Sequence, residues 1–86
     1  MVSELRTQQW QSLVDYSSMM LEKAEAGEWD LLPEMAVERQ ARFEDFFSEA
    51  VPLELAELVS LGIARIAEMD TAIINSSREA KSRFAA

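Results

Sequence analysis

The 86-residue sequence holds sixteen acidic and eight basic residues and neither His nor Cys, for a formal net charge of -8 at pH 7. That charge opposes direct binding to nucleic-acid phosphates or to an anionic membrane leaflet. Without Cys there is no disulfide or zinc-thiolate site, and without His the commonest acid-base and metal-ligand group is missing. A chain this short makes one domain and buries only about 60% of the surface its unfolded form exposes, so a partner or a second copy would help complete its core.

The opening residues, MVSELRTQQW, mix charged and amide side chains where a secretory leader needs an apolar run. No stretch approaches the roughly 20 apolar residues of a membrane span. The expectation is a cytoplasmic protein with no membrane segment. Gly and Pro are sparse, two of each, and they punctuate an all-α pattern with no strands, repeats or low-complexity tracts.

Three helices are predicted, over residues 4–26, 31–49 and 52–83. Ser3 is the candidate N-cap of the first, and Gly27 stands where a helix C-terminus wants its glycine. Its apolar seam reads Leu5, Leu13, Tyr16, Met20 and Ala24, with a second line of Trp10, Val14 and Leu21. A tight turn, Gly27 to Asp30, follows.

Asp30 is the expected N-cap of the second helix, because Pro33 then falls in the first turn, where its missing N–H costs no hydrogen bond. Pro33 also disfavours α geometry at Leu32, so that turn is expected to be irregular. The seam here is Leu32, Met35, Ala36, Phe43, Phe46, Phe47 and Ala50. Arg39 lies inside it, so its guanidinium needs a partner; Asp70, on the rim of the third helix, is the candidate for a structural ion pair, with a ligand contact as the alternative.

Pro52 is expected at the first position of the third helix, whose period runs on towards Phe84 and gives about 30 residues, or about 45 Å. Its seam is Leu55, Leu58, Val59, Gly62, Ile66, Met69, Ile73 and Ala80, with a second line of Ala56, Ile63, Ala67 and Ile74. Gly62 costs about 1 kcal/mol relative to Ala in a helix and can allow either close helix contact or a bend. Arg78, Lys81 and Arg83 make this end locally basic, which suits a helix C-terminus. The fold class is therefore all-α, an antiparallel three-helix bundle with a long C-terminal helix.

Two helices thus carry more apolar circumference than one seam uses. Contact with two neighbours inside the bundle is the first explanation; a groove for a partner helix, or self-association, is the alternative. Carboxylate pairs such as Glu34 and Glu38 share a helix face but lack the Glu-x-x-His motifs of di-iron bundles, and charged faces are normally solvated. No enzyme, metal or cofactor is expected.

One segment is more specific. Ala26-Gly27-Glu28-Trp29-Asp30-Leu31-Leu32 follows a helix with Trp10, Leu13, Ser18, Leu21 and Glu22 and precedes Glu38-Arg39-Gln40, while the third helix contains Ile66-Ala67-Glu68-Met69-Asp70. This order resembles the flagellar export chaperone FliT family over nearly the whole chain. The turn has a logic of its own: Gly27 reverses the chain, Trp29 covers the hairpin end and Asp30 caps the next helix. The resemblance implies a bacterial cytosolic chaperone and adaptor of the type III flagellar export system. It would bind the C-terminal segment of the filament-cap protein, prevent premature assembly and deliver the client to export ATPase components. In some bacteria it would also antagonise a flagellar transcription activator. Relatives can carry an extra C-terminal helix that limits binding; with the sequence reaching only Ala86, the expected groove is open or covered by a homodimer mate. The expected partner-binding residues are Ile63, Ile66, Ile73 and Ile74, with Trp10, Val14 and Leu21 as the second face.

Overall fold

The computed structural model describes residues 2–85 and the side chains of residues 4–81. Helix α1 spans Val2–Glu25, α2 Leu32–Phe47 and α3 Ala56–Ala85, with short 3-10 turns at Trp29–Leu31 and Leu53–Leu55. The described residues contain no strand, and the chain is an all-α three-helix bundle. The side chains of Ser3, Arg83 and Phe84, to which the sequence assigned a cap, a charge and an apolar period, lie outside the described residues.

Helix α1 is the central element. Arg6 meets Phe46 and Ser17 meets Arg39, so α2 runs antiparallel to it. Trp10 lies on Gly62, and Arg39 ties Ser17 to Asp70 one level further along, so α3 runs parallel to α1. Among the described residues no Cα of α2 comes within 8 Å of one in α3. The two outer helices are therefore joined through side chains, and a cleft opens between them.

The core centres on Trp10, which is 1% exposed and packed with Leu13, Val14, Phe46, Leu55, Val59, Ile66 and Met69. Phe46 meets the indole at a centroid distance of 5.2 Å, and Phe43 and Phe47 complete an aromatic cluster at 6.3 and 5.9 Å. A Cβ on Gly62 would stand 2.7 and 2.8 Å from Cζ2 and Cε2 of this ring, and closer still to Nε1. Gly62 therefore serves close packing, within a helix that continues unbroken past it. The indole N–H itself finds no acceptor, which costs about 1–3 kcal/mol.

The buried row of α1 differs from the seam expected. It runs Arg6, Trp10, Leu13, Ser17, Met20 and Ala24, spaced alternately four and three apart, with Val14 buried beside it, whereas Leu5 is 61% exposed. The row contains two polar residues, which an apolar pattern passes over. Arg6 donates to the carbonyls of Phe46 (2.8 Å), Glu49 (3.3 Å) and Ala50 (3.4 Å), and its guanidinium lies 4.1 Å from the Phe46 ring centre. It thereby satisfies carbonyls at the end of α2 and places a cation at the negative pole of that helix.

Gly27 takes φ +78°, with Glu28 N–H donating to Lys23 O and Gly27 N–H to Ala24 O at 2.9 and 3.1 Å. This paired pattern closes α1 in the left-handed conformation that glycine adopts without strain. Asp30 does not cap α2. The chain is already turning at Trp29, so Asp30 lies inside the 3-10 turn, and the cap position falls to Leu31 with no side-chain hydrogen bond. Pro33 stands in the first turn of α2. Pro52 likewise precedes its helix: its extended ψ of 140° makes it the cap of the Leu53–Leu55 turn, and regular α geometry begins only at Ala56.

Candidate functional site

The cleft between α2 and α3 holds part of the apolar surface that the core leaves over, Ile74 among it, while Leu5, Val37, Leu53 and Leu61 are exposed outside its lining. It contains a hollow of about 510 Å³ lined by Met20 of α1, by Leu32, Pro33 and Ala36 of α2 and by Ile73 and Ile74 of α3. Trp29 closes one end, and Ser77, Arg78 and Lys81 form the rim on α3. Trp29 also borders a smaller hollow with Ala24, Gly27 and Ala80, so the turn that ends α1 shapes the mouth of the cleft.

One turn beyond this hollow, a polar bridge joins α2 to α3. Arg39 grips Asp70 with both terminal nitrogens, at 2.8 and 3.2 Å, and its Nη1 also donates to Ser17 Oγ at 3.3 Å. Ser17 is fully buried and donates in turn to Leu13 O. The bridge ties all three helices together and sets the separation of the outer two. A forked guanidinium-carboxylate pair suits this task because it fixes orientation as well as distance.

The expected contact residues divide. Ile73 and Ile74 both line the cleft, and Ile74 is 53% exposed. Ile63 is 51% exposed and shares their flank, seven residues before Asp70 and beyond the ionic bridge. Ile66 is buried in the core. On α1, Trp10 and Val14 are buried and Leu21 is partly buried against the core, so of this second line only Leu21 keeps appreciable exposed surface. The double apolar face of α1 thus serves two neighbours, whereas that of α3 is half uncovered because α2 stands away from it. Arg6 and Ser17 went unseen in the sequence, although the alternating spacing of the α1 row includes both.

The family model for the flagellar protein FliT matches residues 7–86. The chain belongs to the FliT family. Membership gives it a chaperone role in flagellar export, in a family of chaperones rather than enzymes, and makes its partners proteins of that system. No curated relative and no solved structure matches the chain. Among the described residues no helix is long and apolar enough to cross a membrane, and no group of three or more acidic side chains is placed to hold a metal ion.

Proposed function

We propose that this FliT-family protein is a cytoplasmic chaperone and adaptor that holds the C-terminal helical segment of the flagellar filament-cap protein in the cleft between α2 and α3. Covering that segment prevents premature assembly, and the loaded chaperone passes it to export ATPase components; contact with a flagellar transcription activator belongs to the same reading. The observation that carries it is the half-exposed Ile74 beside Ile73, facing Leu32 over a floor of Met20. Apolar anchors on two walls suit an amphipathic helix recognised at i, i+3, i+4 and i+7.

The test is titration of a labelled cap-protein C-terminal peptide. Ile74→Asp and Ile63→Asp change exposed positions, so helicity is expected to persist while capture is lost. Undiminished capture by folded variants overturns the assignment. A second reading, a self-associating structural or regulatory bundle, is favoured by Leu53 at 92% and Leu61 at 64% exposure, Leu61 lying about 160° around α3 from Ile63. Light scattering separates the two: a tight dimer that refuses the peptide supports self-association, and a monomer that grows on adding it supports the chaperone.

A further inference from the structure

Four cations of this acidic chain have tasks within the fold. Arg6 holds carbonyls at the end of α2, and Lys23, Arg39 and Arg42 pair with Glu28, Asp70 and Glu38. Arg65 makes no ion pair among the described residues, but it is absent from the cleft lining and has Glu68 three residues on; Arg78 and Lys81 differ in both respects. Both are exposed on the rim of the cleft, and neither makes an ion pair or hydrogen bond among the described residues. Their own helix offers no carboxylate one turn away, since Ile74, Asn75 and Ser82 flank Arg78 and Ser77, Phe84 and Ala85 flank Lys81 at those spacings. They are instead each other's neighbours at i and i+3, where like charges repel. The facing wall of Leu32, Pro33 and Ala36 is apolar and supplies no counter-charge. The dipole of α3 fades within the last turn, so it does not account for Arg78, seven residues before the helix end at Ala85, whereas Lys81, four residues before it, lies where that field still acts.

We infer that the occupant of the cleft is an amphipathic helix with carboxylates about one turn apart along one edge of its apolar face. Its aliphatic anchors meet Ile73, Ile74, Leu32 and Met20, and its acidic edge meets Arg78 and Lys81. The inference rests on the cleft being the client site, and adds which helices it selects. It also runs against the long-range field. A net charge of -8 attracts cationic segments at a distance, but at about 0.15 M salt charges more than about 8 Å apart are largely screened, and the local pair decides.

The experiment compares two labelled synthetic helices with the same leucines at i, i+3 and i+7, one edged with Glu and the other with Lys, beside the cap-protein C-terminal peptide. At about 0.15 M salt the Glu helix is expected to bind about 3- to 10-fold more tightly than the Lys helix, the scale of two solvent-edge ion pairs. The preference is expected to vanish in Arg78→Ala/Lys81→Ala, whereas Ile74→Asp loses both helices. Equal or tighter binding of the Lys helix overturns the inference, as does a preference that survives the double substitution. If the cap-protein peptide is captured through Ile74 but is indifferent to Arg78 and Lys81, the charge reading falls and the client reading stands. If the Glu helix is captured selectively and the cap-protein peptide is not, the charge reading stands and the client reading falls. Binding of no peptide defeats both.

Discussion

Substituting Gly62 with Ala sets two effects against each other. In an exposed helix the change stabilises by about 1 kcal/mol, because Ala has the better helix propensity. Here the new methyl would stand 2.7 and 2.8 Å from two carbons of the Trp10 ring, where carbon atoms rest at about 3.5–4.0 Å. The ring has little room to yield: it is 1% exposed and backed by Phe46 and Phe43. Overpacking of this kind costs about 1–3 kcal/mol, and with an immobile partner the upper end applies. The net expectation is a loss of about 2 kcal/mol after the propensity gain, or about 10 °C in melting temperature for a chain of this size. Thermal and urea unfolding followed by circular dichroism at fixed protein concentration measure it. In a Trp10→Phe background, which removes the larger ring together with its unpaired N–H, the same substitution should cost at least about 0.5 kcal/mol less. A Gly62→Ala protein that melts at or above the parent, or strict additivity in the double variant, refutes the packing argument.

The polar contacts lead to further predictions. Arg6→Ala removes the donors to three carbonyls and the cation over Phe46, so the urea midpoint should fall by the equivalent of about 2–3 kcal/mol. Arg6→Lys should recover only part of this, because an ammonium lacks the planar fork; an unchanged midpoint in Arg6→Ala would show the contact to be idle. Arg39→Ala and Asp70→Asn should each cost about 1–2 kcal/mol, and the double variant little more than Arg39→Ala alone. If the pair serves structure only, peptide capture persists in both singles once they are folded; capture lost at full stability would mark Arg39 as a client contact.

The course of α1 shows where sequence reading stops. The apolar residues of this helix divide into two lines, Leu5 to Ala24 and Trp10 to Leu21, and nothing in the pattern ranks one above the other. The buried row is neither line. It takes Trp10 and Leu13 together with Arg6 and Ser17, because carbonyls at the end of α2 and the Arg39 guanidinium satisfy the two polar members. Burial of a polar group depends on its partner, and the partner lies about forty residues away for Arg6. Asp30 failed as a cap for a related reason: a cap needs extended backbone before the helix, and the 3-10 turn at Trp29 supplies helical backbone instead.

Composition and local order by themselves determined that the chain is helical and to which family it belongs. Helix periodicity, the rarity of Gly and Pro, and the Gly-Glu-Trp-Asp turn are properties of neighbouring residues and need no knowledge of packing. The tertiary structure decided which apolar surface is core. Trp10, Leu13, Val14, Met20 and Ala24 of α1 are buried while Leu5 stays exposed, and α3 keeps Ile63 and Ile74 half uncovered because the Arg39–Asp70 bridge holds α2 across from it without letting the backbones meet. An apolar residue is equally apolar in either setting, and only the distance to the next helix makes it core or contact surface.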